Sequence, residues 1–251
     1  VSQQHYARIA DLYDAFVRSE IDVPFFVNEA KKANGEILEL MAGTGRVTLP
    51  LVKAGMQVTC VDFSAEMLEP LRQKLKAQGL IADVHQMDVR QLEIGKRFPL
   101  VMIPFQAFPE LTTEDDQQRA LARIHAHLTD DGRFICTLHN PAVRLKSVDG
   151  QLRLAGKFAV EDGLLFVWLL QRYAPETQVV EVLEFFEEYD AQGVMRSKRW
   201  SELQFHMLEK SKFERLIDDA GFAVVDLYGD YQYAAFHEDT SPFMIWMLRR
   251  R

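Results

Sequence analysis

Leu38-Glu39-Leu40-Met41-Ala42-Gly43-Thr44-Gly45-Arg46 sets an acid four residues ahead of a Gly-x-Gly, where an apolar strand gives way to a helix. Glycines in that position let the backbone turn tightly and approach a ligand. The free N–H groups of the helix start then face a polar or anionic group. Seventeen residues beyond Gly45, Asp62 ends a second apolar strand, where a carboxylate can accept from both hydroxyls of a ribose. A third strand runs into Asp88-Val89. Three successive strands therefore carry polar groups to one rim of a sheet, the rim at which open α/β sheets bind ligands. These residues alone fit a nucleoside or a dinucleotide. The nicotinamide fingerprint asks for a small residue three positions after the second glycine, and Thr48 stands there. Glu39 separates the two further: an acid at the strand tip repels a pyrophosphate and suits a positively charged amine.

Those groups can share a rim only if strand and helix alternate. The opening residues read as helix, with Tyr6, Ile9, Ala10 and Tyr13 on one stripe of His5 to Tyr13. A second helix spans about Val23 to Lys32 and stops at Asn34-Gly35. Then come a strand at Glu36 to Met41, a helix from Gly45 to Ala54 closed by Gly55, and a strand at Gln57 to Phe63. Ser64 is a good N-cap for a helix reaching Gln78-Gly79. Strands follow at Ala82 to Val89 and Phe98 to Phe105, then a helix at Glu114 to Leu128 and a strand at Arg133 to Leu138. This rhythm predicts right-handed crossovers and a mostly parallel sheet. From Leu145 to Met207 it lapses into strands and turns, with Asp190-Ala191-Gln192-Gly193 as a hairpin. It resumes with a helix at Glu209 to Ala220 and strands at Val224 to Tyr228 and Phe243 to Leu248. The expected fold is α/β: a Rossmann-like, mostly parallel seven-stranded sheet with helices on both faces, interrupted by a small antiparallel β insert.

Composition agrees. The chain has 251 residues, 48% of them hydrophobic and 26% charged, which excludes disordered and collagen-like classes. Its 29 Lys+Arg against 37 Asp+Glu give a net charge of −8, unsuited to gripping a nucleic-acid backbone. Cys60 and Cys136 are too few for a disulfide framework or a four-ligand zinc site, and no metal is expected. Charges throughout the first thirty residues leave no signal-peptide core, and the longest uncharged run, Phe98 to Pro109, holds three prolines and is too short to span a bilayer. A cytoplasmic protein is expected.

At this point the motifs resemble a known family, the class I S-adenosylmethionine-dependent methyltransferases. Residues 38–45 stand where that family has an acid followed by a glycine-rich turn. Val61-Asp62-Phe63-Ser64-Ala65-Glu66-Met67-Leu68 matches its second motif and Gln86-Met87-Asp88-Val89 its third. Leu100-Val101-Met102-Ile103-Pro104-Phe105-Gln106-Ala107-Phe108 resembles the fourth, which lies beside the transferred methyl group. The likeness is good from Ile37 to about Asn140 and looser afterwards. One departure stands out: Met41 occupies the place of the family's third glycine, so a side chain narrows the approach of the cofactor's methionine part.

The resemblance implies S-adenosylmethionine as cofactor and S-adenosylhomocysteine as product. By position, Glu39 lies near the methionyl amino group, and the backbone of Ala42, Gly43 and Gly45, with Met41, wraps the cofactor. Asp62 takes the ribose, Phe63 and Met67 flank the adenine, and Asp88 and Val89 meet its edge. In the fourth motif, beside the methyl group, Pro104 meets the cofactor and Gln106 the acceptor, and Arg46 pairs with the carboxylate or caps the loop. An N-terminal helical lid carrying Tyr13 is also implied. Residues 1–144 and 208–251 are then the cofactor-binding domain, and 145–207 form part of the substrate pocket.

His139, at the tip of the fifth strand, is the candidate base, with His206 behind it. Trp168, Arg172 and Trp200 in the insert and Tyr231 in the final hairpin are candidates to meet the acceptor. Aromatics alternating on strands also read as core, and Glu184 and Glu187 opposite Arg196 and Arg199 read as cross-strand ion pairs. The expected reaction is methyl transfer to nitrogen or oxygen of a small metabolite. Partners are that acceptor, no nucleic acid and no membrane, with a homodimer allowed for. A nicotinamide-dependent oxidoreductase and a non-catalytic cofactor-binding or scaffold module stay open as rivals.

Overall fold

The computed structural model describes residues 3–251. Two short helices, α1 (Gln3–Ala7) and α2 (Ala10–Phe16), precede α3 (Val23–Lys32). The α/β region follows in the order β1 (Ile37–Leu40), α4 (Thr48–Lys53), β2 (Val58–Asp62), α5 (Ala65–Ala77), β3 (Asp83–Gln86), β4 (Phe98–Ile103), α6 (Glu114–Ala126) and β5 (Leu128–His139). After α7 (Pro141–Arg144) come four consecutive strands: β6 (Leu152–Val160), β7 (Gly163–Ala174), β8 (Val179–Asp190) and β9 (Met195–His206). The chain ends with α8 (Lys210–Asp219), β10 (Phe222–Tyr228) and β11 (Phe243–Arg250).

The large sheet has the order β10-β11-β5-β4-β1-β2-β3. Its five N-terminal strands run parallel, and β11 is antiparallel to both β5 and β10. Every residue of β1 and β2 is buried, as required of parallel strands covered on both faces. Alternation sends Leu38, Leu40 and Val61 to the side packed by α6 and α8. It sends Ile37, Val58 and Cys60 to the side packed by α3, α4 and α5. Glu39 and Asp62 share the parity of this second group, so both carboxylates point to one side. The chain builds β1, β2 and β3 outward and then returns to lay β4 on the other flank of β1. That reversal is the switch point at which a crevice opens beyond the carboxyl ends of the strands.

The four-stranded sheet is an antiparallel meander, β6-β7-β8-β9. Its inner face meets the N-terminal helices, where Ile9 and Leu12 pack with Leu165, Val167 and Phe186. The small sheet and the N-terminal helices are thereby joined above the rim of the large one.

Local departures from the sequence reading have local causes. The first helical stripe breaks at Arg8-Ile9 into two helices, which lets Ile9 turn fully inward. The helix expected from Gly45 begins only at Thr48, because Gly43 and Gly45 take positive φ (+55° and +85°). The third strand stops at Gln86, since Asp88 accepts a hydrogen bond from the Arg90 N–H (2.9 Å) and starts a single 3₁₀ turn. Strand β6 extends the insert by a strand the reading did not bound.

Gly45 is needed for packing as well as for its φ. A Cβ there would meet Leu71 Cδ1 at 2.3 Å. Gly45→Ala should therefore lower unfolding free energy by about 2–4 kcal/mol, combining backbone strain with overpacking. Chemical denaturation followed by circular dichroism checks this.

Candidate active site

Three contiguous cavities run along the carboxyl rim. The middle one is lined by Tyr13, Glu39, Met41, Arg46, Asp62 and Pro104, together with Ala42, Gly43, Phe63 and Met67. All ten are residues expected at a cofactor. Gly45, expected there too, lies outside all three linings and packs against Leu71 instead. On one side a second cavity adds Asp88, Val89 and Arg90, sharing Met41, Asp62, Phe63 and Glu110 with the first. On the other side a roomier cavity of about 390 Å³ holds Gln106, His139 and Tyr231, and shares Tyr6, Tyr13, Phe105 and Glu110 with the middle one.

Asp62 organises the middle. Its Oδ2 accepts from the Gly43 N–H (2.8 Å) and its Oδ1 from the Ser64 N–H (2.9 Å). The carboxylate therefore clamps the glycine turn of β1 onto the end of β2. Burial pushes its pKa up to about 6 despite those bonds. Glu39 is 1% exposed, and its Oε2 accepts from the Thr48 hydroxyl (2.7 Å). Burial holds its proton up to about pH 8. Arg46 does not reach for a ligand carboxylate: its Nη2 donates to Asp22 Oδ2 (2.6 Å), its Nη1 donates to the Ser19 carbonyl (2.9 Å), and its guanidinium stacks 4.2 Å from the Phe105 ring. The loop-fixing alternative is the one its bonds support.

Strain concentrates here. Met41, Phe105 and Gln106 all take positive φ (57°, 56° and 53°), a region costing about 1–3 kcal/mol for such residues. Met41 thus keeps the left-handed turn that a glycine would adopt freely, while its side chain lines two cavities. The Phe105–Gln106 bend is held by the Gln106 N–H donating to Thr137 Oγ1 (3.1 Å) and the Gln106 amide donating to Tyr231 Oη (2.7 Å). Asp88 is clamped by its own neighbour, the Arg90 guanidinium (Nε to Oδ1 2.9 Å), which holds its carboxyl below the usual range.

Several expectations are corrected by the geometry. His139 does line the large cavity, but it packs between Phe205 and Phe243, and burial lowers its pKa to about 4. Such an imidazole is a weak base near neutral pH. His206 is a structural group, with Nδ1 3.0 Å from Gln117 Nε2. Trp168, Arg172 and Trp200 do not reach the cavity. Strand alternation turns them to the outer face: Trp168 pairs across from Phe185, Phe185 from Trp200, and Arg172 from Glu181. Trp168 Nε1 donates to Glu187 (3.1 Å), Trp200 lies under Arg8, and Arg172 lines a separate hollow of the insert. The expected ion pairs also shift register. Glu184 faces Ser201, while Glu187 takes Lys198 (2.7 Å) and Glu188 takes Arg199 (2.9 Å).

The sequence reading missed Glu110, which lines all three cavities. Its Oε1 accepts from the Tyr6 hydroxyl (2.6 Å), and burial raises its pKa to about 7. It follows the fourth motif by two residues, in Phe108-Pro109-Glu110, and extending that motif would have reached it. Glu184 was misread as an ion-pair partner. It falls in the apolar phase of Val180, Val182 and Phe186, which marks it as inward-facing. Among the described residues, no group of three or more His, Cys, Asp or Glu side chains could hold a metal ion.

Residues 37–132 match the family described as "Methyltransferase domain". Over most of its length the chain is similar to the glycine/sarcosine N-methyltransferase of Aphanothece halophytica, 26% identical over 244 residues, which is 96% of this chain and 86% of the relative. Its fold is like that of an S-adenosylmethionine-dependent methyltransferase from Clostridium acetobutylicum (TM-score 0.82, 17% identity, 98% of each chain). It is equally like the CcbJ methyltransferase from Streptomyces caelestis (TM-score 0.81, 22% identity, 100% of this chain and 99% of the other).

The buried carboxyls have a consequence for stability. In the unfolded chain such groups ionise near pH 4, whereas in the fold Asp62, Glu110, Glu184 and Glu39 hold protons to about 6, 7, 7 and 8. The folded state binds more protons across that window, so the ligand-free protein should lose stability as pH rises from about 5 to 8, at up to about 1.4 kcal/mol per pH unit per group. Urea midpoints should fall over that range. Glu39→Gln should match the wild type at pH 5 and exceed it at pH 8.

Proposed function

We propose that this chain is a class I S-adenosylmethionine-dependent methyltransferase and that it transfers the methyl group to a nitrogen or oxygen of a small metabolite. The observation carrying this reading is the pair of buried carboxylates one strand apart, Glu39 and Asp62, on either side of a glycine turn.

The rim fits such a cofactor by the chemistry of its donors and acceptors. Each Asp62 oxygen accepts one backbone N–H and retains a lone pair for a ribose hydroxyl. Glu39 has one oxygen engaged by Thr48, leaving the other for the methionyl ammonium. Asp88 and Val89, which line the neighbouring cavity, would meet the adenine edge, and Phe63 and Met67 would flank its faces. The sulfonium supplies a methyl group already activated for attack. The protein's own work is to hold, align and exclude water. Tyr13 closes the rim from above, its ring meeting Phe16 and Tyr6. Phe105, in the strained Phe105–Gln106 bend, lines both the middle cavity and the larger one. Orientation of this kind supplies roughly 7–11 kcal/mol of a barrier.

The acidic balance of the chain argues against a nucleic-acid acceptor. No helix among the described residues is long and apolar enough to cross a membrane. Light scattering of the purified protein tests the homodimer.

Calorimetry should give S-adenosylhomocysteine binding, and mixing with NADH should leave its fluorescence unchanged. Asp62→Ala removes charge-assisted bonds to the ribose and should weaken S-adenosylhomocysteine about 10–100-fold. Tight NADH binding, or wild-type affinity in Asp62→Ala, would count against the reading. Ammonium binding beside a protonated Glu39 must expel its proton, so binding near pH 7 should release about one proton, seen as a dependence of the calorimetric heat on buffer. Glu39→Gln should abolish that dependence.

A further inference from the structure

The larger cavity has a charge pattern of its own. Glu184 reaches it from β8, only 9% exposed, and its Oε2 has no hydrogen-bond partner among the described residues. The nearest basic group, His5 Nε2, lies 3.9 Å away, and burial keeps that ring neutral down to about pH 4. Glu110 reaches the same cavity from the rim below, and among the described residues it is bonded only to the Tyr6 hydroxyl. The Glu184 charge is near enough to push the Glu110 carboxyl further up. Between them the walls are aromatic, with Tyr6, Tyr13, Phe105 and Phe205 among them. No Lys or Arg lines the cavity among the described residues. Its third acid, Asp22, is already neutralised by Arg46. The guanidinium of Arg144, which lies 5.6 Å from the Phe205 ring, is held outside by Gln171 and Ser147.

Two buried carboxyls with no Lys or Arg beside them among the described residues, in an aromatic cavity, match one ligand chemistry. A buried unpaired carboxylate is unfavourable until a cation joins it, and aromatic faces attract cations as well. A ligand carboxylate would meet the opposite: two acids, and two imidazoles, His5 and His139, that burial keeps neutral. We propose that the acceptor is an amine carrying no carboxylate, seated as its ammonium between Glu184 and Glu110, with Glu110 receiving the proton that must leave before nitrogen can attack. The proposal rests on the methyl-transfer reading above and narrows its acceptor.

The proton balance is simple. The acceptor ammonium gives one proton to the Glu110 carboxylate and becomes a neutral amine. Its nitrogen lone pair forms the new C–N bond as the C–S bond breaks, with that electron pair remaining on sulfur. The product leaves as a methylated ammonium, and Glu110 returns its proton to solvent. Burial places the Glu110 carboxyl near 7, suited to that exchange. The acceptor of the similar glycine/sarcosine enzyme carries a carboxylate, so this cavity separates the two chains in substrate class.

The test uses protein saturated with S-adenosylhomocysteine, titrated calorimetrically with cyclohexylamine, piperidine and glucosamine, and with cyclohexanol, glucose, glycine and sarcosine as counterparts. The amines should bind at millimolar concentration or better, and the alcohols and amino acids about tenfold or more weaker. Glu184→Gln should weaken the amines about tenfold or more and leave S-adenosylhomocysteine affinity within about twofold. In methyl transfer, Glu110→Gln should lower kcat with a changed pH profile, whereas Glu184→Gln should raise KM. Glycine binding as well as the amines, amines no better than alcohols, no amine binding at all, or unaltered amine affinity in Glu184→Gln would each overturn the proposal. Failure of S-adenosylhomocysteine itself to bind, seen before any amine is added, would instead strike the methyl-transfer reading beneath it.

Discussion

Carboxyl groups taken out of water govern this molecule's working rim. A lone buried carboxylate is costly, and a fold tolerates one by hydrogen bonding, by protonation or by a cation. Asp62 takes the first route. Its two oxygens receive the Gly43 and Ser64 N–H groups, so the same contact that lowers its own cost also fixes the bend between β1 and α4 against the start of α5. Remove the carboxylate and two backbone donors are orphaned at once, in the turn whose shape makes the crevice. Among the described residues Glu39 has the Thr48 hydroxyl alone, and so it holds its proton more tightly. The gradient along the rim, from a well-bonded acid to a poorly bonded one, is what a ligand with a neutral diol and a cationic end would require.

Strain and burial reinforce each other here. Two consecutive residues, Phe105 and Gln106, sit in a left-handed conformation at the end of β4, where a glycine would be the easier choice. They persist because surrounding groups over-determine them: Thr137 accepts the Gln106 N–H, Tyr231 takes the Gln106 amide, and Arg46 covers the Phe105 ring. Arg46 is in turn held by Asp22, just ahead of α3. A residue that reads in sequence as either a ligand-binding cation or a loop cap is thus a brace, tying an N-terminal segment to the strained bend through one guanidinium. The strained backbone turns the chain away from β4 at the point where the middle and larger cavities meet.

What was legible in the sequence followed from local rules. Apolar strand, glycine turn and helix, repeated, fix the parallel sheet and its rim, and the acids at the strand tips could be named because strand ends are local features. The seven-stranded sheet and its antiparallel companion were readable for the same reason. The insert's inward faces were not, because the direction of each side chain there depends on register, and a shift of one residue exchanges the two faces. Trp168 and Trp200 looked like recognition residues by type, yet their parity turns them outward. Glu110 was missed because it stands in a 3₁₀ turn beyond the strand, with no periodicity to announce it. Arg46 was ambiguous since its partner, Asp22, comes from a segment 24 residues away.

The contrast between Glu184 and Glu187 takes the point one step further. They lie three residues apart on one strand, with the same chemistry, and therefore on opposite faces. Glu187 looks outward, where Lys198 and the Trp168 N–H meet it, and its carboxyl is held below the ordinary range. Glu184 looks inward among Val182 and Phe186, where Ser201 opposite bonds to His5 instead, and its carboxyl is pushed up to about 7. An acid in an apolar phase, with a leucine or valine able to fill that space, is unfavourable for stability alone. Protonation lowers that cost in part, and a group arriving from outside with the opposite charge would lower it further. The insert would then be more than a wall around the cavity, since Glu184, turned inward on β8, gives that wall its chemistry.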